Sequence, residues 1–229
     1  MLRVEILLLA VAGGGVDAVL YLGFHVLTAA QTGNTILLAV AIAQRQLTTG
    51  LHAAVSIGSY IGGTALGELI LDGPRRNRSR PPRVALALVI ELAGVLGLLI
   101  LWYALGPVHG AGTGVPLVVL AAVAMGIQSA TVLRLHAGPA TTYVTGTLTT
   151  FTVDVIRWPH LVETTAGEGD TATGPRPWIY GITWLIYLGG ALATGLLYLS
   201  VTAVALLLPI IAILVALAVA SRERSALPR

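Results

Sequence analysis

The 229-residue sequence contains no cysteine and no lysine, and only 10% of its residues are charged. Without cysteine there is neither a disulfide nor a thiolate metal site, and the redox compartment is left undefined. Soluble domains carry about 25% charged residues, so this chain has too little polar surface to cover a water-exposed globule. A nucleophile–base constellation, a phosphate-binding glycine loop and an HExxH motif are also missing, and no enzyme is expected. His160 and Glu163 share a stretch with Glu168 and Asp170 but lack metal-ligand spacing, so neither a metal nor another cofactor is expected. All lasting positive charge is arginine, and five arginines fall in RRNRSRPPR, Arg75 to Arg83, without interleaved aromatics. Nucleic acid is therefore not an expected partner. Arginine beside apolar runs ordinarily sets membrane topology.

What is abundant is apolar: 56% of residues are hydrophobic and the mean hydropathy is +0.88. Six runs are long enough to cross a bilayer core of ~30 Å: Val4 to Phe24, Leu51 to Leu71, Val84 to Leu105, Val115 to Leu135, Trp178 to Leu197 and Val201 to Ala220. The first lacks a long basic flank and an A-x-A cleavage site, which predicts a retained span. Thr32 to Ala43 and Thr145 to Ile156 are shorter. At ~1.5 Å per residue, a dozen residues of helix cover about 18 Å, little more than half the core. These lengths predict re-entrant or broken half-helices.

The sequence also repeats. GGGVDAVLYL (Gly13 to Leu22) aligns with AMGIQSATVL (Ala124 to Leu133), pairing Gly15 with Gly126 and Asp17 with Gln128. The pairs Thr32-Gly33 and Thr145-Gly146 follow at similar distances, and SYIGGTALG (Ser59 to Gly67) resembles IYLGGALATG (Ile186 to Gly195). Three matches in one order predict a duplication, with repeats over residues 1–112 and 113–229. If both short segments crossed, Arg3 and the arginine linker would fall on opposite faces. If both turn back, Arg3, the linker and the tail arginines Arg222, Arg224 and Arg229 share the cytoplasmic face. The expected fold is thus an all-α polytopic membrane protein with two inverted repeats of three transmembrane helices. Discontinuous helices in inverted repeats are a transporter architecture, with the substrate near the midplane.

In that arrangement two half-helix N-termini would face one another near the bilayer centre. Their N–H groups and partial positive charge suit an anion, a carboxylate or the oxygens of a neutral polar solute. The residues expected to hold it are Thr32, Gly33, Asn34 and Thr35 in the first repeat. The second contributes Gln128, Ser129, Thr145, Gly146 and Thr147. Small polar residues also pack membrane helices, so the same breaks would equally serve a non-transporting subunit or assembly protein. Asp17 and Glu91 are intramembrane carboxylates and are candidates for coupling or gating. The alternative for Asp17 is a hydrogen bond to the unwound backbone of the first break, and for Glu91 a partly snorkelled charge. Glu68 is expected in an ion pair beside the arginine linker. Asp154 and Arg157, three apart on a helix, are expected to pair. Glycines at Gly58, Gly62, Gly63, Gly67, Gly94 and Gly97 have helix-packing spacing. They serve either packing of the repeats or a homodimer.

The elements GVDAVLYLGF, QTGNTILLAVAIA, AMGIQSATVLRL and TTYVTGTLTTFTVDVI together resemble the YoaK-like family. This is a group of small bacterial inner-membrane proteins of unknown function. The resemblance implies a multi-pass protein of the inner membrane and brings no established substrate or functional residues. The family's usual pair before TGN is Asn-Met or similar, where this chain has Ala30-Gln31.

Overall fold

A computed structural model describes residues 4–72, 83–105, 111–135, 144–165 and 177–225. Most of the arginine linker, residues 136–143 ahead of the second short segment, the acidic stretch with Glu168 and Asp170, Arg3 and Arg229 lie outside the described residues. So do the side chains of His160, Glu163 and Arg224. Among the described residues every regular element is helical. The helices are α1 (Val4–Phe24), α2 (Gln31–Ala43), α3 (Leu47–Asp72), α4 (Val84–Leu105), α5 (Ala111–Leu135), α6 (Val144–Thr165), α7 (Pro177–Val201) and α8 (Leu207–Ser225). Five of them, α1, α3, α4, α5 and α7, are long and apolar enough to cross a membrane.

Two expected elements differ. The run from Val201 to Ala220 is interrupted by a 3₁₀ turn at Thr202–Val204, so α8 has a shorter apolar stretch, Leu207–Arg222. The second short segment does not stop at Ile156: α6 continues to Thr165 and has 22 residues. Apolarity ran out at Ile156, but nothing there breaks a helix, and Pro159 does not end it. The first short segment keeps its expected length, with 13 residues in α2.

The helix directions follow from contacts at their ends. Phe24 stacks edge-on against His52, and a methyl on Gly114 would overlap Phe24 and His52. The start of α3 and the start of α5 therefore lie beside the end of α1. Further along α5, Gln128 reaches the carbonyl of Leu9 at 2.9 Å, which makes α1 and α5 antiparallel. Trp102 near the end of α4 stacks on Phe24, so α4 runs with α1. At the opposite end Arg134 of α5 forms ion pairs with Glu68 and Asp72 of α3.

Glycine makes the tightest crossings. A methyl at Gly63 would overlap the carbonyl of Val123, and one at Gly126 the carbonyl of Tyr60, so α3 and α5 touch backbone to backbone. The same occurs between α1 and α7, where a methyl at Gly14 would overlap the carbonyl of Tyr187 and one at Gly190 the carbonyl of Val11. Such approach is how membrane helices gain van der Waals contact without a hydrophobic drive. These crossings place Gly14, not Gly15, in the position of Gly126. Asp17 then corresponds to Ser129, and the expected pairing of Asp17 with Gln128 shifts by one residue.

The glycine faces divide by use. Gly63 and Gly67 pack on α5, as does Gly94, whereas Gly58, Gly62 and Gly189 have open space where a side chain would go. Gly126→Ala should lower stability by about 1–3 kcal/mol through overpacking. Gly62→Ala should leave stability unchanged or slightly raised. Thermal unfolding of the purified variants reads both.

Candidate functional site

The chain leaves α1 through His25, whose φ of 54° is in the left-handed region. This reversal sends residues 26–30 back along α1 instead of onward. There the backbone N–H groups of Thr28, Ala29 and Ala30 all donate to the Asp17 carboxylate, at 2.6, 2.7 and 3.1 Å. The Thr28 hydroxyl donates to the same carboxylate at 3.0 Å and the Tyr187 hydroxyl, from α7, at 2.6 Å. Five donors thus converge on two oxygens in a group only 3% exposed. Successive backbone N–H groups aimed at one point form an anion-binding nest. Here the anion is the protein's own.

Asn34 closes the same break from the other side. Its carbonyl oxygen accepts from the Leu27 N–H at 2.9 Å, and its amide donates to the Leu27 carbonyl at 2.5 Å. It also donates to the Gln31 side chain at 2.8 Å and to Ser56 of α3 at 3.0 Å. Ser56 in turn donates to the Leu27 carbonyl at 2.7 Å. Backbone that is neither helix nor sheet survives in a membrane protein only when its polar groups are met within the protein. Asn34, Ser56 and Asp17 meet them here. Residue Ala30 at the helix start offers no side-chain cap; Asp17 supplies the acceptor from another helix.

The far end of α2 is fixed as well. The Arg45 N–H donates to the Ile42 carbonyl and the Gln46 N–H to the Ala41 carbonyl, with Arg45 at a φ of 57°. This is a Schellman motif, which ends helices through one left-handed residue. A methyl on Gly50 would touch Ala41, so α2 ends beside the start of α3.

The other expected site residues are spread more widely. Thr32 and Thr35 are exposed, and Thr35 donates to its own helix at the Gln31 carbonyl. A methyl on Gly33 would overlap the Leu27 side chain. Thr145 is exposed, Gly146 half-buried and Thr147 buried at the start of α6. Gln128 is buried and ties α5 to α1 through Leu9. Ser129 donates back to the Met125 carbonyl at 2.9 Å. Helix α2 packs on α3 and α6 on α7. Along antiparallel α1 and α5, Asp17 and Ser129 stand about eight residues, or ~12 Å, apart. Glu91 is fully buried in α4 rather than snorkelled, and Glu68 forms an ion pair with Arg134. Asp154 and Arg157 do not pair. No cluster of three or more metal-ligating side chains occurs among the described residues.

Sequence reasoning missed Tyr187, Ser56 and Thr28. Tyr187 lies 170 positions from Asp17, and only the predicted repeat, which aligned it with Tyr60, drew notice to it. Asp17→Ala should cost about 3 kcal/mol or more, because each buried donor left dry costs about 1–3 kcal/mol. Tyr187→Phe, which removes one donor to the carboxylate, should cost about 1.5–3 kcal/mol. Thermal unfolding gives the ranking, and hydrogen exchange at Thr28 to Ala30 should accelerate in Asp17→Ala.

The family described as "Protein of unknown function (DUF1275)" matches residues 6–219. The UPF0700 transmembrane protein YoaK of Bacillus subtilis (strain 168) is 33% identical over 152 residues, which cover 65% of this chain and 64% of that relative. The matched part therefore spans less than two-thirds of the relative's length. No solved structure matches the chain. With its apolar helices and a match over nearly its whole length, the chain is a multi-pass membrane protein that belongs to the DUF1275 family of unknown function.

Proposed function

We propose that this protein is a membrane transporter or channel-like permease for a small anionic or polar solute, built from two inverted repeats. The crossings of α3 with α5 and of α7 with α1, matched glycine for glycine, support the duplication. The antiparallel course of α1 and α5 supports the inversion. The end of α1, the end of α2 and the start of α3 lie together, which supports a re-entrant α2. With three crossings per repeat, both termini fall on the cytoplasmic face of the inner membrane.

One observation carries the reading of the solute. The first break is a carboxylate receptor already filled by Asp17, with a tyrosine hydroxyl as one of its donors. In the second repeat Ser129 stands where Asp17 does, Tyr60 corresponds to Tyr187, and Thr147 begins α6 as Asn34 begins α2. A solute carboxylate or small inorganic anion takes the place that Asp17 occupies in the first half. Thr32 to Thr35 then support the fold, and binding falls to Ser129, Thr145, Gly146 and Thr147.

The complete internal satisfaction of the first break also favours the rival reading, a non-transporting subunit whose breaks serve packing. Ser129→Asp separates the two. In the transport reading the new carboxylate fills the second receptor, so stability without solute rises and stabilisation by small carboxylates or anions is lost. A thermal-shift panel on wild type and variant reads both. If no anion stabilises the wild type and Ser129→Asp simply destabilises, the packing reading stands. The open faces at Gly58 and Gly62 are where a homodimer would form.

A further inference from the structure

Glu91 is fully buried, and neither of its carboxylate oxygens has a hydrogen-bond partner among the described residues. The contrast with Asp17, which holds five donors, is complete. An ionised carboxylate without a partner in such a place costs several kcal/mol, whereas a protonated one is neutral. Intramembrane carboxylates of this kind mark ion or proton pathways. A metal cation or sodium would need several oxygen ligands, and no acidic or histidine cluster converges among the described residues.

The surroundings leave Glu91 isolated. A methyl at Gly94 would contact Ala124, so Glu91, about one turn earlier on antiparallel α4, stands level with Gly126 to Gln128. Tyr60 of α3 shares that level through its carbonyl beside Gly126. The remaining titratable or charged groups on the helices that touch α4 are distant. On α1, which meets α4 at Phe24 and Trp102, the buried carboxylates Glu5 and Asp17 lie four and eight residues either side of Leu9, about 6 and 12 Å along the axis. Arg134 lies six to eight residues further along α5, roughly 9 to 12 Å, and is engaged by Glu68 and Asp72. His52 stands at the opposite end of α3, against Phe24. On α8 the charges are Arg222, Glu223 and Arg224, at its C-terminal end.

We infer that Glu91 is a proton-carrying residue, exchanging one proton with water when the helices around α4 open. It stands within about a turn of Ser129 along α5, close enough for proton and anion to be handled together. Resting on the transport reading, this makes the proton the coupled ion and Glu91, rather than Asp17, its carrier. The carboxylate gains one proton from the medium and releases the same proton, with no other bond changed.

Infrared spectra of the purified protein in lipid nanodiscs test this without any solute. Glu5 near the start of α1 is also buried, with one oxygen unpartnered, so difference spectra are read: a protonated-carboxyl carbonyl component is expected in the wild type at neutral pH, lost in Glu91→Gln and kept in Glu5→Gln. Absence of any such band in the wild type, or a band unchanged in Glu91→Gln, overturns the proposal. So does stabilisation of wild type, but not Glu91→Gln, by sodium over potassium. A thermal-shift series then separates the two layers. Where an anion stabilises the wild type, the shift should be full at neutral pH and shrink as pH rises until Glu91 loses its proton, and should not change with pH in Glu91→Gln; a pH dependence that persists in the variant overturns coupling at Glu91. Where no anion stabilises, the proposed function falls, and the infrared band alone decides whether Glu91 carries a proton.

Discussion

The fold around the first break depends on one carboxylate. Asp17 lies within α1, yet its five hydrogen bonds are spent on the segment that follows α1 and on Tyr187 of α7. By holding the N–H groups of Thr28 to Ala30, it draws an unwound stretch back alongside the helix it has just left. Helix α2 can then begin deep in the bundle and finish, at the Schellman turn around Arg45, beside the start of α3. An irregular segment at that depth would otherwise leave several N–H groups without acceptors, which apolar surroundings penalise heavily. Asn34 and Ser56 complete the same task on the Leu27 peptide groups.

The second constraint is steric. Where α3 crosses α5 and α1 crosses α7, backbone meets backbone at glycine. These two crossings repeat one another, and they set which residues of the two halves correspond. The correspondence exposes an asymmetry: the first half carries Asp17 and the second Ser129 at the same place. A second asymmetry lies at the far end of α5, where Arg134 is clasped by Glu68 and Asp72 of α3; α7 has no acid at the positions corresponding to these.

Much of this was legible in the sequence. Hydropathy marked the spans, the length of Thr32 to Ala43 marked the short helix, and the polar QTGNT marked the break. The hydrogen bond from Asp17 to unwound backbone was one of two readings that the sequence left open. Other features were not legible. The alignment of the halves was off by one because Gly13, Gly14 and Gly15 are interchangeable in sequence, and only the overlap of Gly14 with Tyr187 selects among them. Helix α6 outran its apolar stretch because a helix ends where capping or backbone geometry stops it, not where hydropathy falls. The partners of Asp17 and Asn34 on α7 and α3 are long-range contacts without local pattern.

The central claim is that α2 turns back instead of crossing, so that the turn after α2 and the end of α8 lie on opposite faces of the membrane. Since the chain has no cysteine, single cysteines at Gln44 and Ser221, both exposed, can be labelled with a membrane-impermeant thiol reagent in sealed vesicles of known orientation. The account predicts that Gln44→Cys is labelled from the outer face and Ser221→Cys from the inner face only. Labelling of both from the same face would mean that the short helix crosses, and would contradict it.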